Sequence, residues 1–241
     1  MEAFWELGGA RVGFTRCRPA NYADSTRPSH PNYGLNTEDE SELVLDDRRA
    51  LARRLGTSIA WMTQTHSDIV CEISAADVPV DNAVTADAVI ASRVGVAVQV
   101  ADCIPVLVVD PRKRKVAAIH AGRAGVEKNI VGKTLDRLYA TGSLRGELLA
   151  AVGPSICGHC YEVPPTMWDR FTTQYPVGAS HTRWGTPALD LRAVVDQQLR
   201  SGWIDDIRCD NTCTYEHDDL NSYRRNPHCG RQAGWAYFPA E

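Results

Sequence analysis

The chain has 241 residues, 44% of them hydrophobic and 23% charged, with a formal net charge of -4. That length supports one substantial core or two small ones, and the composition is ordinary for a soluble globular protein. Negative charge argues against a dedicated nucleic-acid binder, and the absence of an apolar run near about 18 residues excludes a membrane-spanning helix.

The opening MEAFWELGGARVGF alternates apolar and polar residues, which predicts a strand to about Arg16. It has no charged leader followed by an apolar run, so a cytoplasmic protein without a membrane partner is expected. Residues 17–37, rich in Pro, Asn, Ser, Tyr and Gly, read as a long irregular loop of the kind that often carries function. Apolar residues at helical spacing predict a helix over Leu43–Leu55, stopped by Gly56. Short strands are expected at Ile59–Gln64 and Asp68–Ile73, then at Ala88–Ile90, Val94–Val100, Ile104–Val109 and Val116–His120. The basic run Arg112–Lys115 reads as a solvated hairpin turn between the last two. A helix over Val126–Tyr139, a strand over Glu147–Val152, a helix over Leu191–Ser201, a strand over Ile207–Cys209 and a polar C-terminal segment complete the reading. Strand runs broken by only a few helices point to an α+β fold with mixed sheets. No linker, repeat or low-complexity tract divides the chain, so residues 1–241 are expected to form a single domain.

Three potential metal ligands, His66, Cys103 and His120, each stand at the edge of an apolar strand. A hairpin turning at Pro111–Arg114 sets position 105 opposite position 120. Cys103 then lies on a diagonal roughly 7–8 Å or less from His120. Two imidazoles and one thiolate suit Zn²⁺ and leave the fourth tetrahedral position for water or substrate. Taken singly, such a Cys is usually a small buried hydrophobe, and such a His is usually satisfied by a neighbouring backbone group.

Several collinear blocks carry a resemblance: Gln64-Thr65-His66, Ala101-Asp102-Cys103-Ile104-Pro105-Val106, His120-Ala121-Gly122, Gly153-Pro154-Ser155-Ile156, Tyr161-Glu162-Val163, Cys213-Thr214 and Ser222-Tyr223-Arg224-Arg225 with Gly230-Arg231. On these the chain resembles the YfiH-type laccase-domain family, named first for multicopper polyphenol oxidases and later for purine nucleoside phosphorylases. The resemblance implies a four-layer α/β/β/α fold with mixed sheets, shared distantly with the catalytic domain of cytotoxic necrotizing factor. It implies zinc on His66, Cys103 and His120. The implied activity is phosphorolysis of adenosine, inosine or methylthioadenosine, with adenosine deamination alongside. Nucleoside and phosphate are the expected partners. Asp102 is then a candidate acid/base beside Cys103 and His120, and Asn36 and Gln64 are candidate ribose or base contacts. Arg224 and Arg225 are candidate phosphate ligands, because a guanidinium fork matches phosphate oxygens.

The third block departs from the family's His-Ala-Gly-Trp-Arg-Gly, reading His120-Ala121-Gly122-Arg123-Ala124-Gly125. Arg123 is therefore a candidate to replace the missing charge. Alternatives from other classes are a Cys103–His120 hydrolase or amidase that edits peptidoglycan precursors and a copper-dependent oxidase. With 7 His in the chain, a multicopper set is hard to build. Cys157-Gly158-His159-Cys160 raises a thiol–disulfide motif or a structural zinc shared with Cys209 and Cys213, against the plainer reading of unligated thiols.

Overall fold

The computed structural model describes residues 4–17, 31–74 and 78–240. Where one opening strand is expected, two form, Phe4–Leu7 and Ala10–Phe14, because Gly8 and Gly9 take the positive φ angles of 57° and 81° that a tight hairpin requires. Residues 31–37 are irregular as expected; the rest of the predicted loop, 18–30, lies outside the described residues. Helix α1 spans Ser41–Leu55, and Gly56 at φ 70° ends it in the left-handed conformation.

Two mixed sheets dominate the described residues. The first runs in the order Phe4–Leu7, Ala10–Phe14, Gln232–Tyr237, Gly95–Val100 and Ile59–Ala60. Its middle strand, Gln232–Tyr237, lies inside the segment expected to be polar and irregular, and it is buried along its whole length. The second sheet runs Ile207–Cys209, Leu149–Val152, Ile104–Asp110, Lys115–Ala121, Ala88–Ala91 and Val70–Ile73. Its central hairpin pairs His120 with Pro105, the register that the Pro111–Arg114 turn predicts.

The sheets pack face to face through Val12, Phe14, Val96, Val98, Leu107 and Val109. On the outer face of the first sheet, α1 sets Leu51 against Trp61, Trp235 and Tyr237. The outer face of the second is covered by α2 (Arg123–Glu127), α3 (Ile130–Ala140), α4 (Pro165–Gln174) and α5 (Leu191–Ser201), with Ile130, Leu135, Phe171 and Leu199 in the core. The result is the α/β/β/α layering that the resemblance implies.

One predicted helix is divided and one helix was not expected, each for a local reason. The predicted Val126–Tyr139 helix is two helices, broken where Asn129 adopts φ 58° and caps the second by accepting from Gly132 N. Helix α4 starts at Pro165, where a missing N–H costs nothing because first-turn donors have no partner within the helix. No helix among the described residues is long and apolar enough to cross a membrane.

Candidate metal centre

The site forms where the chain passes from one sheet to the other. Val100 ends a strand of the first sheet and Ile104 begins one of the second, so Cys103 sits in the crossing turn. His120 closes the neighbouring strand and His66 stands in the loop after Met62–Thr63. Two of these loops carry backbone strain: His66 has φ 57° and Asp102 has φ 82°.

The three side chains converge. Cys103 Sγ lies 3.8 Å from His66 Nε2, the two imidazole centroids are 4.7 Å apart, and one donor atom from each residue falls within 4.8 Å of the others. Tetrahedral zinc with Zn–N near 2.05 Å and Zn–S near 2.3 Å requires donor–donor edges of about 3.3–3.6 Å. Closing the observed spacing to that value takes only small side-chain rotations.

Asp87, which sequence reasoning missed, organises the cluster. Its fully buried carboxylate accepts from His120 Nδ1 at 2.8 Å, from the main-chain N–H groups of His66 at 3.0 Å and Ser67 at 2.6 Å, and from the Ser67 hydroxyl at 2.6 Å. Engaging Nδ1 turns Nε2 of His120 toward the cluster, the carboxylate–histidine arrangement of metal sites. Burial alone would push the Asp87 carboxyl up, but the bonds from His120 and Ser67 outweigh it and hold it well below the usual carboxylate range. One signal was available: an Asp alone in the apolar stretch Ala86–Ile90 is rarely buried without a task.

The two remaining ionisable partners reinforce each other. Burial pushes the Cys103 thiol up, yet the imidazoles of His120 and His66 bring it down to about 6. Burial would lower His120, but the Cys103 thiolate and Asp87 raise it to about 9. Each partner thus favours the charged form of the other.

Gly122 touches all of this. A Cβ there would stand 2.8 Å from His66 Cδ2 and 3.1 Å from Cys103 Sγ. Since Gly122 has φ -76°, alanine fits the backbone and only the ligands are disturbed. Gly122→Ala is therefore expected to weaken any metal binding at these donors by about 10–100-fold, measured by competition with a chromophoric chelator, while the thermal midpoint stays close to wild type.

A pocket of about 630 Å³ opens over the cluster, within the usual range for small-molecule sites. Asp102 and Asn36 line it as expected, and the Asp102 carboxylate is fixed by the Thr214 hydroxyl at 2.6 Å and the Arg224 N–H at 2.7 Å. Gln64 also lines it, but both ends of its amide are engaged by the Gln99 main chain, at 2.8 and 2.9 Å. Its role is therefore to join the His66 loop to the first sheet.

The expected arginines are redistributed. Arg225 turns inward and donates to the carbonyls of Thr214, Tyr215, His217 and Leu220. Arg123 is paired with Glu127 at 2.5 Å. Neither lines the pocket. Arg224 and Arg231 do, their guanidinium groups held 5.4 Å and 5.7 Å from the ring centroids of Tyr161 and Tyr223.

Of the other cysteines, Cys157, Cys160 and Cys213 come together, whereas Cys209 stays exposed at the end of the Ile207–Cys209 strand. The Cys157–Cys160 pair lies in a turn, and the following helix begins only at Pro165. The turn opens no helix of its own, and burial pushes the Cys157 thiol up, the opposite of what a redox nucleophile needs.

Known proteins resemble this chain over most of its length. A purine nucleoside phosphorylase of Streptomyces griseus, ORF3, is 36% identical over 217 residues, covering 86% of this chain and 86% of that protein. Another so named from Streptomyces coelicolor, SCO2081, is 36% identical over 214 residues, covering 86% and 87%. The structure of Neisseria meningitidis protein NMB0706 superposes with a TM-score of 0.82 at 25% identity over 100% of this chain and 99% of that one. Bacillus licheniformis hypothetical protein YfiH shares the fold with a TM-score of 0.82 at 24% identity, over 95% and 93%. The family described as multi-copper polyphenol oxidoreductase laccase matches residues 18–238. The chain therefore belongs to that laccase-like, YfiH-type family.

Proposed function

We propose that this protein is a zinc-dependent purine nucleoside phosphorylase, with adenosine deamination as a companion activity. The observation that carries the reading is a three-donor cluster, backed by a buried carboxylate, at the floor of a pocket whose wall presents two arginines. The names of the Streptomyces relatives support it. His66, Cys103 and His120 would hold the zinc, which would supply Lewis-acid polarisation.

The chain's own groups supply the rest. Phosphorolysis breaks the bond between the ribose C1′ and the base nitrogen, forms a bond from C1′ to a phosphate oxygen, and needs a proton for the departing base. Arg224 and Arg231 hold the phosphate dianion at the pocket wall. The Asp102 carboxylate, oriented by Thr214 and the Arg224 N–H, faces the pocket, where it can accept from a ribose hydroxyl or relay to the base nitrogen the proton that hydrogen phosphate loses as its oxygen bonds C1′. Zinc suits the donor set better than copper does. A His₂Cys set also builds blue-copper sites, but those add a long axial ligand, commonly Met, in a closed site. Here the three donors lie at an open pocket, and among the described residues no Met lines it. Among the described residues, only two histidines join any candidate metal cluster, too few for several coppers.

The test is an assay of zinc-loaded protein with adenosine, with and without phosphate. Adenine and ribose 1-phosphate appearing only with phosphate, together with a slower phosphate-independent release of inosine, is the expected result. A blue absorbance and phenol oxidation on copper loading, without nucleoside turnover, would favour the oxidase reading instead. The arginines separate cleanly. Arg224→Ala should raise the KM for phosphate by roughly 10- to 100-fold, the worth of one charged hydrogen bond, with little change in thermal midpoint. Arg225→Ala should do the reverse, lowering stability by about 2–4 kcal/mol through orphaned carbonyls and leaving that KM unchanged.

A further inference from the structure

Away from the pocket floor, two short turns lie side by side, and each carries two metal-ligating side chains with two residues between them. One is Cys157-Gly158-His159-Cys160 and the other is Cys213-Thr214-Tyr215-Glu216. We infer that Cys157, Cys160, Cys213 and Glu216 form a second, structural zinc site that clamps these turns together.

The geometry is that of a closed four-donor site. One donor atom from each residue lies within 4.8 Å of all the others, and three thiolates on one zinc ion require S–S edges of about 3.8 Å. Each turn is closed by its own main chain: Cys160 N and Tyr161 N donate to Cys157 O at 3.0 and 3.1 Å, and Glu216 N donates to Cys213 O at 3.2 Å. The turns are joined by a parallel bridge between Ser155 and Cys213, with Thr214 N donating to Ser155 O at 3.0 Å. Cys157 N donates to Cys213 Sγ at 3.4 Å, which ties the first turn directly to a donor sulfur of the second. Gly158 allows the first turn to seat closely, since a Cβ there would come within 2.8 Å of Asp190 Cβ and 3.2 Å of its Cα.

Charge is accommodated as well. Three thiolates and a carboxylate around a divalent ion leave two negative charges. Arg183 pairs with Glu216, and Arg192 reaches the carbonyls of Ser155, Asn211 and Thr212 beside the cluster. Soft sulfur donors in a four-coordinate shell select zinc over magnesium or calcium. With every position filled by protein, the site has no place for substrate, so its role is structural.

What it fixes is informative. Tyr161 directly follows Cys160 and lines the nucleoside pocket, while Thr214 directly follows Cys213 and orients Asp102. The clamp therefore sets one wall of the pocket without touching the three-ligand centre. This makes Tyr161 and Thr214 dependent on a metal that performs no chemistry.

Elemental analysis of the full chain purified without oxidant and supplied with zinc should give about two ions per chain. Cys160→Ser and Cys103→Ala should each lower the count by one, the double variant should retain none, and Cys209→Ser should retain both. Cobalt substitution reads the two sites separately, because sulfur-to-cobalt absorption scales with the number of thiolates. Wild type should show the intensity of four and Cys103→Ala that of three. If Cys160→Ser fails to fold, Glu216→Gln keeps the thiolates and should lower affinity for one ion only. A wild-type count equal to that of Cys160→Ser, cobalt absorption of a single thiolate in the wild type, or thiol titration showing a Cys157–Cys160 disulfide in the zinc-supplied protein would overturn the inference.

Discussion

Replacing Cys103 with alanine should remove about one zinc ion per chain and abolish nucleoside turnover while leaving the fold intact. A zinc site worth on the order of 10 kcal/mol and shared among three protein donors loses roughly a third of that when one goes, or two to three orders of magnitude in affinity. Cys103 lies in the turn between two strands and is only partly buried, so truncation leaves a modest void and little loss of stability. Cys103→Ser is the sharper control. Its hydroxyl stays protonated at neutral pH where the Cys103 thiol, near 6, is largely ionised, so shape is nearly retained while the anionic ligand is lost. Both variants should behave alike in metal content and in turnover.

This variant also separates the proposal from its nearest rival. Cys103, His120 and Asp87 could be read as a nucleophile, a base and its orienting acid. A hydrolase built that way needs no metal, is inhibited by zinc and cleaves amides. The second imidazole, His66, at 3.8 Å from the sulfur, has no task in such a dyad and is explained by a metal. Activity that survives complete chelation would reverse this judgement.

Legibility in the sequence followed the range of the interaction involved. The hairpin that carries His120 was readable because a polar turn at Pro111–Arg114 fixes its register locally, and the observed pairing of His120 with Pro105 follows from it. The strand Gln232–Tyr237 was not. Its small residues and glycine give no alternation, because it is central in its sheet and buried on both faces. Helix α4 was hidden by Pro164 and Pro165, which punctuate a loop and also start a helix. The three donors that converge were named by the family blocks, whereas the arginines were not ordered by adjacency. Arg224 and Arg225 are neighbours in sequence, yet one faces the pocket and the other is spent on main-chain carbonyls. Arg231, six positions beyond Arg225, completes the wall because the chain folds back over Tyr223.

Asp87 should prove the most damaging single position in the protein, through stability and metal affinity together. Alanine there leaves the N–H groups of His66 and Ser67, the Ser67 hydroxyl and the buried His120 Nδ1 without their acceptor. Several orphaned donors should cost about 3–5 kcal/mol in total. Asp87→Asn isolates the electrostatic part. It keeps the volume but turns an amide NH₂ toward groups that are themselves donors, so either the His120 bond or the Ser67 bonds must fail. Zinc affinity should fall by about 10–100-fold, as when the carboxylate behind a ligating histidine is removed. Ser67→Ala provides the scale, since it deletes one donor and leaves the carboxylate on His120; about 1 kcal/mol and unchanged zinc binding are expected. The pH dependence carries a further signature. Because the folded state holds Asp87 below its ordinary value, its contribution is complete above the unfolded carboxylate range and is lost as the pH falls beneath it. The asparagine variant should therefore lose less stability than wild type on acidification. Chemical denaturation between neutral and acidic pH, paired with chelator competition, reads both effects. If Asp87→Asn bound zinc as tightly as Ser67→Ala, the carboxylate would be a loop anchor alone and His120 would need another explanation for its orientation.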